Sequence, residues 1–209
     1  MKLHRTHLFV PSLLLLFAAL PLAQERVTKK GPPEFKDVHA EVARAYEAGK
    51  LGLAVSKSKE LLGVLQTKWG EAILAALPAA PEGFELVPQK KQDPQAAGML
   101  AAMAGAVGTV VEQKYKGDGV TITATVQADS PLIQMFSMWV ANPSMLGEGA
   151  ELVKYGDVNA VLKKEGRGWS LQILIGTSLV DAKGAKDDAM LLRMFDQAVV
   201  DELSRVLAI

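Results

Sequence analysis

Apolar residues recur along this chain at two different periods, and the change from one to the other divides it. From Glu34 onward the period is helical: Phe35, Val38, Val42, Ala45 and Tyr46 share one face at spacings of three and four. Gly49 interrupts, and Leu51, Val55, Ser58, Leu62, Leu65, Trp69 and Ile73 continue in register until Pro78. Two amphipathic helices joined at a glycine predict an antiparallel helical hairpin over residues 34–78. Past the turn-rich run Pro78 to Gly83, the period drops to two. Val120, Ile122, Ala124 and Val126 alternate with Thr121, Thr123, Thr125 and Gln127, which is what a half-buried strand needs.

The same reading gives short strands at 84–87, 108–115, 151–155, 158–164, 169–175 and 178–181. Tight turns at Asp118-Gly119, Gly156-Asp157 and Gly176-Thr177 join neighbours, and turns that short permit only antiparallel pairing. Two apolar stretches interrupt the strands. Asp93-Pro94 opens a weak helix into an uncharged run of alanine, glycine and methionine, residues 96–111. Asp129, Ser130 and Pro131 stop the strand at 120–127 and start an apolar helix ending before Asn142-Pro143, expected to fold back over the sheet. A last helix is expected over 186–207, with Leu192, Phe195, Val199, Leu203 and Val206 as its apolar stripe. The fold class is therefore α+β: an antiparallel β-sheet meander of about six or seven strands, covered by helices and preceded by the helical hairpin. The sheet domain spans 82–209.

Composition adds where the chain works. Residues 1–23 read as a secretory signal peptide: Lys2 and Arg5, an apolar run from Leu8 to Leu20, then Ala23 before Gln24. Retention of this segment as an anchor is the alternative, although Pro11 breaks the run and its length is short for a bilayer. Residues 24–33 are polar, end in Gly31-Pro32-Pro33 and read as a flexible leader. The expected place is exported, periplasmic or extracellular, with no membrane span once the signal is cut. With 23 basic and 23 acidic residues, the chain lacks the charge excess that phosphate backbones require, so no nucleic-acid partner is expected. There is no cysteine, which removes disulfides, thiolate nucleophiles and lipid attachment at the junction. Signal cleavage also removes His4 and His7, leaving His39 alone.

Two resemblances follow from particular residues. The run from Ala45 to Leu62, with Tyr46 and Gly49, is similar to a single tetratricopeptide-type helix pair, without a second copy. The pattern Leu77 to Phe84, Tyr115 leading into Asp129-Ser130-Pro131-Leu132, a methionine-bearing helix ending Asn142-Pro143, and Leu179 to Gly184 resembles an uncharacterised family of exported bacterial proteins. That family favours tryptophan where Phe84 stands. The order of elements is more weakly similar to PsbP-like domains, which implies an accessory or binding role without catalysis.

The candidate chemistry is sparse. Met99, Met103, Met135, Met138 and Trp139 form a candidate ligand or partner surface. Thioethers suit copper(I), but methionine equally fills gaps beneath a sheet-covering helix, and no cofactor or metal is expected. Asp129 and Ser130 mimic a catalytic pair, yet helix capping explains both, and no catalytic residue is assigned. Glu148, Glu151, Asp157, Asp187 and Asp188 fall in turns and helix starts, and the lysine doublets 29–30, 90–91 and 163–164 read as solvated faces. The expected function is an exported, non-enzymatic envelope protein that binds or scaffolds, its hairpin meeting a protein partner or a second copy. A binder of a small apolar ligand or lipid between helices and sheet is the alternative, and a histidine-independent hydrolase the remote one.

Overall fold

A computed structural model of the chain describes residues 33–88, 109–129, 147–166 and 168–208. The signal and most of the leader, the Ala/Gly/Met run up to Gly108 and the helix expected after Asp129 lie outside the described residues. Four helices and seven strands occupy the rest. The hairpin is α1 (Phe35–Glu47) and α2 (Leu51–Ala76). The strands are β1 (Phe84–Leu86), β2 (Val110–Gly117), β3 (Val120–Gln127), β4 (Ala150–Tyr155), β5 (Val158–Glu165), β6 (Gly168–Ile175) and β7 (Ser178–Ala185). Two helices close the chain, α3 (Asp188–Met194) and α4 (Gln197–Leu207).

All seven strands form one sheet in the order β1-β2-β3-β7-β6-β5-β4, and every neighbouring pair is antiparallel. Two meanders thus meet at the β3–β7 seam, where Ala124 stands opposite Ala182 and Val126 opposite Val180. Local turn signals cannot announce that pairing, because it joins strands far apart in sequence. The expected alternation holds: Ile122, Ala124 and Val126 are buried, as are Leu171, Ile173 and Ile175. Together with Tyr115, Leu162, Val180 and Ala182 they make the apolar face of the sheet, against which the buried residues of α2, α3 and α4 pack in one core.

Two boundaries differ from the sequence reading by more than a residue or two. Strand β7 continues through Gly184, which adopts φ +96 and lies so close to β3 that a Cβ would collide with the Thr121 carbonyl oxygen. Glycine there keeps the strand going rather than ending it. The expected single C-terminal helix is two, because Asp196 caps α4 by accepting from the Val199 N–H at 2.9 Å. Phe195 takes the corner and is fully buried. Asp187 caps α3 in the same way, accepting from Met190 N–H at 2.7 Å.

Candidate interaction surface

The hairpin closes on a glycine for a local reason. Gly49 holds φ +68, its N–H donates to the Tyr46 carbonyl, and Lys50 N–H donates to the Ala45 carbonyl, both at 2.9 Å. That pair of bonds is the Schellman ending, which satisfies the last carbonyls of α1 and reverses the chain into α2. Val38 and Ala45 of α1 and Ala54 of α2 are buried. At the rim, Lys57 Nζ reaches Glu41 Oε2 at 2.6 Å and Glu60 Oε2 at 2.9 Å, tying the two helices together. The hydrogen bond to Glu41, then that to Glu60, raises the Lys57 pKa above the ordinary lysine value.

Helix α2 does two things along its length. Its C-terminal part is seated on the sheet and on α4: Ile73 is fully buried, and the Trp69 indole Nε1–H donates to the Val206 carbonyl at 3.0 Å. Just beyond the helix, the Pro78 carbonyl accepts from Tyr115 Oη–H at 2.8 Å. Gly70 sits against Val111 and Thr109, so α2 passes the start of β2 at that point. Traced backward from Trp69 to Leu51, the helix runs on past the sheet for about 27 Å at 1.5 Å per residue. The apolar stripe does not stop with the sheet. Leu51, Val55, Leu62 and Leu65 lie on the same face as Ile73, yet they are 60, 57, 54 and 47% exposed. Their spacing was legible in the sequence; that half of the stripe would be left in water was not.

Other candidates resolve into ordinary structure. Asp129 adopts φ +53, a turn backbone rather than the extended one of a helix cap, and its N–H donates to Ser178 Oγ at 3.4 Å. His39 is exposed and stacks on Phe35, with ring centroids 5.8 Å apart. Asp187 and Asp188 each accept a backbone N–H at the start of α3. Among the described residues, no three His, Asp or Glu side chains gather as a metal site would require. Met99, Met103, Met135, Met138 and Trp139 lie outside the described residues, so the structure neither gathers nor separates them.

Two open clefts of about 520 Å³ indent the sheet domain. One lies between α3, the start of α4 and the loop at Pro78 to Glu82, with Arg193 and Asp196 on its wall. The other lies at the β6–β7 turn beside the end of α4, with Asp129, Asp157 and Ser204 on its wall. In the second, the Ser204 hydroxyl donates to the Val200 carbonyl at 2.7 Å within its own helix. Tyr155 Oη is buried without a hydrogen-bond partner, and burial first, then the charge of Asp196, raises its pKa and keeps the phenol neutral. No helix among the described residues is long and apolar enough to cross a membrane. The exposed half of the α2 stripe is an apolar feature that packing among the described residues leaves unexplained. Compared with known proteins, the chain matches no family model, no curated protein and no solved structure.

Proposed function

We propose that this chain is an exported, non-enzymatic envelope protein that binds or scaffolds another protein surface through its helical hairpin. The observation that carries this reading is the apolar ridge Leu51, Val55, Leu62 and Leu65, exposed on a helix whose other end is firmly docked. An uncharged ridge of large side chains in water favours association, because burying it against a partner removes apolar area from solvent. The sheet domain then acts as the rigid base that holds the ridge clear. Export rests on the three-part N-terminus, Lys2 to Ala23. The resemblance to exported bacterial proteins agrees with it. The candidates for catalysis weigh little, since Asp129 serves a turn and His39 stacks on Phe35.

The test is crosslinking in intact cells of the chain's own source, comparing wild type with the double variant Leu62→Lys, Leu65→Lys. Wild type is expected to give a discrete crosslinked species that the variant loses while its level in the envelope fraction stays the same. Equal crosslinking by both would remove the hairpin from the function. Terminal sequencing of the fractionated chain is expected to begin at Gln24; an intact Met1 in the cytosolic fraction would remove export.

A further inference from the structure

The sheet has two faces, and the described helices cover one of them. Leu171, Ile173 and Val180 point to those helices, so alternation turns Leu174 and Leu179 the other way, and Leu152 and Val161 with them. Val161 is only 3% exposed, although it takes no part in the core beneath the helices, and the three leucines are half-buried. Register sets the four on a diagonal. Leu179 stands beside Leu174 at the end of the sheet where β3 finishes, while Val161 beside Leu152 lies two residues nearer the start of β4. Positions flanking the diagonal are polar: Lys154 and Asn159 on one side, Gln172, Asp181 and Thr125 on the other.

We propose that this second face is the docking site of residues 130–146 of the same chain, laid along the Leu179-Leu174-Val161-Leu152 diagonal. Connectivity demands a crossing. Four antiparallel pairings separate β3 from β4, so the two strands run parallel, and the chain leaving β3 must recross the sheet to begin β4. Four strand spacings of about 4.8 Å and four residues of about 3.3 Å part Gln127 from Ala150, a diagonal of about 23 Å. Residues 130–146 reach about 25 Å as a helix at 1.5 Å per residue. Chirality chooses the face. Ala128 turns its buried side chain to the helices and donates its N–H to the Thr109 carbonyl, on the β2 side, at 2.8 Å. For an L-residue this puts β2 to the right of β3, and β4 to the left, viewed from the helices with β3 pointing up. A crossing on the helix side would be left-handed, and one on the far side is right-handed, the hand that nearly all such connections take. Chemistry agrees, since Leu132 to Val140 carries no charge and the diagonal is apolar. The sheet then has cover on both faces, whatever the hairpin binds.

Alkylation of single thiols in the full chain tests this, with Leu152→Cys, Leu174→Cys and Leu179→Cys compared against Thr121→Cys, an exposed position on the same face. The three thiols on the diagonal are expected to react at least tenfold more slowly than the one at 121. Replacing residues 130–146 by a glycine-serine linker of equal length is expected to abolish that protection. Free reaction in the native chain overturns the proposal, as does protection that survives the replacement. Should the linker variant fail to fold, spin labels decide. Ser137→Cys is paired with Lys183→Cys on the far face and, separately, with Glu202→Cys on the exposed side of α4. The shorter distance is expected to Lys183; an equal or shorter one to Glu202 overturns the proposal.

Discussion

The two halves of α2 have the same apolar spacing and opposite surroundings. From Trp69 to Ala76 the stripe is closed off by β2, α4 and the loop after Pro78, with Ile73 out of contact with water. From Leu51 to Leu65 the same face of the same helix keeps about half of each large apolar side chain in water. Amphipathic spacing declares that a face can be buried; what buries it depends on where the sheet ends, and the spacing says nothing of that. One half therefore stabilises this protomer, and the other is available for something else.

Substitutions along the stripe separate those roles, and the largest effect is expected at the docked end. Ile73→Ala removes a fully buried side chain and should cost about 2–5 kcal/mol in urea unfolding. A loss as small as that of a surface change would mean α2 is not seated on the sheet. Next comes the phenol that anchors the end of the helix. Burial pushes Tyr115 up from 10.0 to about 12. The neutral form is the one the fold prefers, so this contribution is complete below the unfolded pKa near 10 and is lost as pH rises toward 12. Absorbance titration should show Tyr115 ionising later in the folded chain than in the urea-unfolded chain, together with falling stability over that window; equal ionisation in the two would contradict its burial.

Smaller again is Trp69→Phe, which keeps most of the ring and deletes the indole bond to Val206. It should cost about 1 kcal/mol. No loss would show that α4 is not tied to α2 at this point. Smallest is Leu62→Ala on the projecting half. Measured on dilute protein it should change stability by less than about 0.5 kcal/mol. A cost near that of Ile73→Ala would make the two halves alike and erase the difference between them.

Much of the architecture could be read from sequence because its signals are local. The alternation in Val120 to Gln127 and Trp169 to Ile175, and the turns at Gly119, Gly156 and Gly176, each depend on neighbouring residues alone. Features that depend on distant partners were not legible. The β3–β7 seam needs two meanders to meet, and Gly184 looks like a strand end until its approach to Thr121 is known. The break between α3 and α4 hid within a continuous apolar stripe, and only the Asp196 side chain marks it. The proposed interaction surface was half legible for the same reason: the sequence placed Leu51 to Leu65 on one face, and their exposure depends on where the sheet ends.

The most direct measurement uses the absence of cysteine, which lets a single introduced thiol report its own surroundings. Leu62→Cys and Ile73→Cys would be compared for alkylation rate under native conditions, from dilute to concentrated protein. Expected is a thiol at 73 that stays protected throughout, and one at 62 that reacts freely in dilute protein. A thiol at 62 as protected as that at 73 in dilute protein would contradict the division of α2 into a docked half and a free one.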